Sequence, residues 1–262
     1  MKARKYGLGL ATAVRGLTRY YMKGKDCKDQ STALYWYPLV GAFLSIMALL
    51  PIVIINLIIF HSIYCLNTNA KLLESTMFVA LLAYGSRGFH LDGLADTFDG
   101  FGGGYSKDKI MEIMKDSRIG SFGAAALICL LMLKSVALST VVEINILIVI
   151  AVVMIGRSSL TLQCYISNYA KEDGLAKELC NNAKLRHLFV NLIFLSIPFY
   201  FLYAVGHFNI AIALVITMIF TTVAVNRISY KKIGGITGDI LGCTAELVEL
   251  ACSIVIAFML LA

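Results

Sequence analysis

Three aspartates carry the most specific chemistry that this sequence can support. Residues 88–100 read GFHLDGLADTFDG, with Asp92, Asp96 and Asp99 spaced i, i+4, i+7. On a helix this spacing puts three carboxylates along one stripe, where like charges repel one another. A bound cation would relieve the repulsion, and carboxylate oxygens alone favour a hard cation, Mg²⁺ or Mn²⁺, over zinc. The alternative is a solvated acidic helix face, but the segment holds no lysine or arginine to pair with it.

Further polar residues flank the stripe. Asp116 is a candidate fourth metal ligand, and Arg118 is a candidate phosphate clamp because a guanidinium pairs bidentately with phosphoryl oxygens. The alternative for this pair is an N-capping aspartate beside an interfacial arginine. The glycines at 102–104 either let backbone N–H groups approach a phosphate or form a hinge. His90 is a candidate metal ligand, supporting donor or bystander.

A second set of carboxylates lies near the C-terminus. Asp239 and Glu246 are seven residues apart, and therefore on one helical face, while Glu249 lies one turn beyond them. Carboxylates in an otherwise apolar helix need a partner or a cation. Arg157 can either pair with these carboxylates or bind a substrate phosphate. Lys134 is expected to snorkel towards the interface or to have a structural role.

The chain that must position these residues is strongly apolar. Of its 262 residues, 59% are hydrophobic and only 15% are charged, and the mean hydropathy is +0.79. A soluble domain has about 45–50% apolar and about 25% charged residues, and a disordered chain is more polar still. The sequence therefore predicts an all-α fold, a polytopic integral membrane helical bundle. We expect residues 1–262 to form a single membrane-embedded catalytic domain.

The apolar runs predict about seven transmembrane helices. Their approximate ranges are 38–60, 72–86, 121–142, 144–166, 188–205, 209–225 and 243–262. With the N-terminus inside, all but three of the 23 basic residues fall on the cytoplasmic side. The exceptions are Lys71, Lys134 and Arg157. This asymmetry predicts an N-in orientation, and it accounts for the net charge of +7 without a nucleic-acid partner.

Two segments lie outside these spans in the prediction. Residues 1–34 form a basic interfacial N-terminal segment that begins with an amphipathic helix. Residues 88–120 form a cytoplasmic segment that contains the acidic motif.

The chain resembles the cobalamin synthase family, the adenosylcobinamide-GDP ribazoletransferases, and the resemblance covers essentially the whole sequence. The most specific matches are HLDGLADTFDG at 90–100 and IMKDSRIG at 113–120. Shorter matches are LTR at 17–19, GR at 156–157, YAKEDGL at 169–175 and GITGD at 235–239. One departure is that Tyr20 and Tyr21 follow the LTR element, where the family usually has a proline.

The resemblance implies a phosphotransfer reaction. The ribose 3′-hydroxyl of α-ribazole, or of its 5′-phosphate, would attack the cobinamide-linked phosphorus of adenosylcobinamide-GDP and release GMP. Mg²⁺ is the implied cofactor, and one of its carboxylate ligands, with Asp99 as a candidate, would also accept the hydroxyl proton. The expected metal-binding and catalytic residues are Asp92, Asp96, Asp99 and Asp116. Asp239 and Glu246 would face them, and the candidate phosphate-binding residues are Arg19, Arg118 and Arg157.

The same resemblance implies a location in the cytoplasmic (inner) membrane, with the active site on the cytoplasmic face. The lipid bilayer is the expected surrounding. Whether the protein forms a homo-oligomer or a complex with other cobalamin-assembly enzymes stays open. One rival is a CDP-alcohol-type membrane phosphotransferase, whose motif has Ala-Arg where this chain has Ala95-Asp96. Another is a cation transporter, but the carboxylates collect at span ends rather than at the midplane.

Overall fold

The structure, a computed structural model, confirms the predicted all-α fold. It describes residues 2–60, 68–142, 145–171, 174 and 176–261. Within these residues the chain forms eleven α-helices and one 3-10 helix, together with a single parallel bridge between Tyr169 and Ile236.

The helices follow one another through short connections. Helix α1 covers Lys2–Leu17, and a 3-10 helix over Gln30–Trp36 leads directly into the next helix. The remaining helices are α2 (Tyr37–Phe60), α3 (Thr68–Gly85), α4 (Phe89–Gly103), α5 (Lys107–Ile113), α6 (Ser121–Val142), α7 (Ile146–Ile166), α8 (Lys177–Asn181), α9 (Leu185–Ala204), α10 (Phe208–Ile233) and α11 (Gly238–Leu261).

Six stretches in the described part of the chain are long and apolar enough to cross a membrane, so this is a multi-pass membrane protein. They are Gln30–Ile59, Ser121–Val141, Ile146–Ile166, Leu185–Ala204, Phe208–Ile233 and Gly238–Leu261. Each overlaps one of the seven predicted spans. The seventh prediction corresponds to α3, which holds Lys71 and Glu74 and is not among the six. The count of seven and the N-in orientation therefore stay predictions.

Helix α7 lies at the centre of the bundle. Of its apolar window, 78% is buried, against 33% for α6. The buried side of α7 includes Gly156, Ser158, Ser159, Thr161 and Gln163. Because lipid tails are as apolar as leucine, the small and polar residues among these buried positions are typical of the inside of a membrane bundle.

Helix α4 packs against α11 through glycines. A Cβ atom added at Gly93 would lie 2.5 Å from the backbone oxygen of Asp239. A Cβ atom added at Gly242 would lie 3.0 Å from the Cα atom of His90. Because neither position carries a side chain, the two helices meet backbone to backbone at their N-terminal ends. This contact brings the acidic stripe of α4 beside the first turn of α11.

We expect Gly93→Ala to destabilise the protein, because its methyl group has no room against the α11 backbone. Overpacking of this kind costs about 1–3 kcal/mol. Gly16→Ala is the matched control, since an added Cβ there meets nothing within 4 Å, and alanine is the better helix former. Thermal unfolding in detergent would compare the two variants. Equal stability would show that α4 and α11 are not in backbone contact.

Candidate active site

A cavity of about 420 Å³ opens between the turn from α3 to α4, the first half of α4 and the start of α6. Two of the predicted carboxylates, Asp92 and Asp96, line it together with Arg87. The other lining residues are Gly88, Phe89, Leu91, Ala95, Ser117, Ile119 and Leu127. The cavity therefore presents groups of both charge signs beside apolar side chains.

The carboxylates of Asp92 and Asp96 have no hydrogen-bond or ion-pair partner among the described residues. The pKa of Asp96 is raised to about 6, mainly by partial burial and then by the negative charges of Asp92, Asp239 and Asp99, while Lys171 opposes the shift. Four carboxylates thus share one region of negative potential. Such a region favours the binding of a cation, and Asp92 and Asp96 are its two carboxylates without a partner in the described part of the chain.

Asp99 belongs to the same stripe but is already engaged. Its Oδ2 accepts the backbone N–H of Gly120 at 2.7 Å, and its Oδ1 accepts that of Gly123 at 2.8 Å. The carboxylate thereby satisfies free N–H groups at the start of α6 and lies favourably in the field of the helix dipole. The geometry therefore gives Asp99 a structural task, and it does not support the prediction of a free metal ligand or base at this position.

Asp116 and Arg118 bind each other. The Nη2 atom of Arg118 lies 2.7 Å from Oδ2 of Asp116, and its Nε atom lies 3.0 Å from Oδ1. These hydrogen bonds from Arg118 lower the pKa of Asp116 to about 2. Asp116 does not line the cavity, although its neighbour Ser117 does. The predicted roles of metal ligand and phosphate clamp would both require this exposed pair to open.

Asp239 lies at the start of α11 and is held from two sides. Its Oδ2 accepts hydrogen bonds from Nζ of Lys171 at 3.5 Å and from the hydroxyl of Thr237 at 3.0 Å. Lys171 belongs to the YAKEDGL match, in which positions 172, 173 and 175 lie outside the described residues. Because Asp239 lies against Gly93 of α4, the structure places this predicted carboxylate beside the helix that carries Asp96.

A buried ion network joins α6, α7 and α11. Nζ of Lys134 lies 2.9 Å from Oε2 of Glu246 and 2.5 Å from Oε2 of Glu249. Nη1 of Arg157 lies 2.6 Å from Oε1 of Glu249. All four side chains are at most 5% exposed. Two cations and two anions therefore neutralise one another inside the apolar bundle, and removing any one would leave the buried network with an unbalanced net charge.

The network bears on the predictions for Arg157, Glu246 and Lys134. Of the two roles open to Arg157, the structure shows pairing with a carboxylate, and this side chain does not line the cavity. Glu246 is committed to Lys134, so the geometry does not support it as a carboxylate that faces the metal site. Lys134 is buried rather than snorkelling, which leaves the structural role.

His90 is a buried neutral side chain beside this network. Burial lowers its pKa well below the usual range, and the charges of Arg157 and Lys134 lower it further. Its Nδ1 atom has no hydrogen-bond partner, and the residue is absent from the cavity lining. The geometry therefore does not support His90 as a metal ligand in the cavity, and the roles of supporting donor and bystander stay open.

Two arginines lie at the turn that borders the cavity. The backbone N–H of Arg19 donates to the carbonyl of Gly85 at 2.8 Å, and its guanidinium lies 3.4 Å from the ring centroid of Tyr84. This cation–π contact places the predicted phosphate-binding Arg19 next to the turn. Arg87 lines the cavity itself. Sequence reasoning missed it, although an arginine in the short GSRG turn just before the acidic motif was an available signal.

No group of three or more His, Cys, Asp or Glu side chains within the described ranges is arranged to hold a metal ion. The donor set nevertheless fits a hard cation chemically, because Asp92 and Asp96 offer free carboxylate oxygens beside the charge of Asp239. The Mg²⁺ assignment stays a prediction.

Comparison with known proteins gives one consistent result. A family model described as cobalamin-5-phosphate synthase matches residues 9–257. The chain is 37% identical to the adenosylcobinamide-GDP ribazoletransferase of Chlorobium phaeovibrioides over 252 residues, which are 92% of this chain and 94% of the relative. It is also 37% identical to the protein of that name from Chlorobium chlorochromatii over 258 residues, 96% of each chain. No solved structure matches.

We expect Glu249→Gln to destabilise the protein strongly, since Glu249 is the carboxylate that contacts both Lys134 and Arg157. Removing one partner from a buried network costs about 3–5 kcal/mol. Glu112→Gln, which breaks the exposed pair of Lys109 and Glu112, should cost about 1 kcal/mol or less. Unfolding in mixed detergent micelles would measure the free energy of unfolding of both variants. Similar losses would mean that the buried network stabilises the protein no more than an exposed ion pair does.

Asp99→Asn and Asp96→Asn should affect stability in opposite ways. An asparagine at 99 can accept only one of the two N–H groups at the start of α6, which should cost about 0.5–2 kcal/mol. An asparagine at 96 removes a charge that its neighbours repel, so stability should be unchanged or higher. The comparison is made by thermal unfolding with divalent cations chelated. A larger loss for Asp96→Asn would reverse the assignment of these two residues.

Proposed function

Because the chain belongs to the cobalamin-5-phosphate synthase family, we propose that it joins adenosylcobinamide-GDP to α-ribazole, or to α-ribazole 5′-phosphate, and releases GMP. The enzyme is a ribazoletransferase of cobalamin biosynthesis. The family match over residues 9–257 carries this proposal. The cavity lined by unpartnered Asp92 and Asp96 supports the proposal as a candidate site for the reaction. The family match disfavours both rivals, the CDP-alcohol-type phosphotransferase and the cation transporter.

The chemistry requires an activated hydroxyl and a neutralised diphosphate. The 3′-oxygen of the ribazole ribose forms a bond to the cobinamide-linked phosphorus, the bond to the GMP oxygen breaks, and a phosphodiester results. Asp92 and Asp96, with Asp239 close by, would hold Mg²⁺, which supplies charge neutralisation on the diphosphate and the leaving GMP. The proton of the attacking hydroxyl would pass to an oxygen of Asp92 or Asp96 that does not hold the cation, since neither carboxylate has a partner among the described residues.

The arginines near the cavity suit the phosphates. Arg19 is already placed beside the α3–α4 turn by its contact with Tyr84. The Arg118 side chain is 87% exposed, so it can exchange Asp116 for a substrate phosphate at little cost in desolvation. That exchange would also free the Asp116 carboxylate. Both predicted roles at 116 and 118 would thus follow from substrate binding.

We further propose seven spans with the N-terminus inside and the active site on the cytoplasmic face of the inner membrane. As a helix of 18 residues, α3 extends about 27 Å, close to the thickness of about 30 Å of the hydrocarbon core. Its charged residues, Lys71 and Glu74, are buried in the bundle rather than exposed to lipid. With α3 as a span, α4 and its cavity lie on the side that carries the basic connections, as the positive-inside rule expects.

Asp92→Asn and Asp96→Asn should each reduce GMP release by about 100-fold or more, the scale of losing a group that stabilises the transition state directly. Asp108→Asn, an exposed aspartate of α5, is the matched control and should retain activity. GMP is measured with purified protein in detergent, adenosylcobinamide-GDP and Mg²⁺, with α-ribazole and its 5′-phosphate assayed in parallel. Near-normal turnover in both cavity variants would contradict the assigned metal site.

A further inference from the structure

We propose that Arg87 binds the diphosphate of the nucleotide substrate, in the same cavity that Asp92 and Asp96 line. This inference rests on the proposed function, and it assigns a residue for which the sequence motifs provide no role. Three observations carry it: the backbone conformation of Arg87, the surroundings of its side chain, and the position of Arg19 beside it.

Arg87 stands where a glycine would be more stable. The end of α3 forms a hydrogen-bonded cap in which the N–H of Gly88 donates to the carbonyl of Ala83 at 2.8 Å and the N–H of Arg87 donates to that of Tyr84 at 3.2 Å. In this arrangement the residue at position 87 is left-handed, with φ of 60°. Among the described residues it is the only non-glycine with positive φ.

The choice of arginine at this position therefore has a local cost and no local benefit. Glycine takes the left-handed conformation without penalty, and asparagine tolerates it better than longer side chains do. Residues held in unfavoured backbone conformations concentrate at binding and catalytic sites. The turn itself favours a glycine at position 87, so we attribute the arginine to a function of its side chain.

Arg87 is one of the residues that line the cavity. It is exposed, and no hydrogen bond or ion pair of its side chain occurs within the described ranges, although Asp92 and Asp96 line the same cavity. A wall with free carboxylates and a free guanidinium suits a ligand that has anionic oxygens and brings its own divalent cation. A diphosphate has this character, and arginine pairs with phosphoryl oxygens in a bidentate manner.

Arg19 adds a second positive charge at the same turn. Its backbone is hydrogen-bonded to Gly85, and its guanidinium is stacked on Tyr84, two and three residues before Arg87. Two arginines are therefore associated with the α3–α4 turn, Arg87 within it and Arg19 packed against its first residues. Negative charge that develops on the leaving phosphate would be stabilised there.

The test uses three variants of the full-length protein in detergent. Arg87→Asn and Arg87→Gly both remove the charge and suit the left-handed backbone, so thermal stability should be unchanged or higher. Both should raise KM for adenosylcobinamide-GDP on the order of tenfold, the effect of losing one charge-assisted contact, and leave KM for α-ribazole within about twofold. Arg227→Gln, which removes an exposed charge on α10, should change neither constant.

A second measurement separates this inference from the proposed function. Binding of GDP in the presence of Mg²⁺ is measured directly for the wild type and for Arg87→Asn. If the wild type releases no GMP from adenosylcobinamide-GDP, the proposed function fails, but weaker GDP binding by Arg87→Asn still supports the diphosphate site. If GMP is released and Arg87→Asn has unchanged KM and unchanged GDP affinity, the inference is overturned while the function stands.

A purely structural role for Arg87 gives a different pattern. The thermal stability of both variants would then fall, and KM for both substrates would change together. That result would also overturn the inference, because it would assign the arginine to the turn instead of the ligand.

Discussion

The bundle depends on the pairing of four charges in its apolar interior. Lys134, Arg157, Glu246 and Glu249 come from three different helices, and all are buried. An unpaired ion at this depth would be strongly destabilising, so α6, α7 and α11 can pack only where the two cations meet the two carboxylates. Apolar side chains cannot impose such a register in lipid, because they gain little by exchanging lipid for one another.

The position of the cavity follows from this register. Once α11 is held by its glutamates, the glycine contacts at Gly93 and Gly242 place α4 against its first turns. Asp99 then ties α4 to the start of α6. Asp92 and Asp96, on the same helix, are left without partners and line the space between these elements. The paired carboxylates of Glu246, Glu249 and Asp99 thus fix the helices that carry Asp92 and Asp96, whose carboxylates are free to bind a ligand.

Much of this could be read from the sequence. Composition and apolar runs predict the all-α membrane bundle, and six of the predicted spans coincide with apolar helices. The spacing of Asp92 and Asp96 identifies the cavity carboxylates. The same spacing includes Asp99, whose role differs because Gly120 and Gly123 approach it from a helix more than twenty residues away. Arg87 could not be identified by spacing, since its position depends on a backbone turn and a cavity wall.

The sequence by itself determined the fold class, the family and the region of the acidic motif, because these depend on hydropathy and on residues that are neighbours along the chain. Only the tertiary structure decided which charges are paired and which are free. Glu246 and Arg157 carry the same charges as Asp96 and Arg87, and although hydropathy puts the first two in apolar spans, it does not say which partner each of them has. Glu246 and Arg157 are each buried against an opposite charge, which gives them a structural role. Asp96 and Arg87 line a cavity without partners, which leaves them available to a ligand.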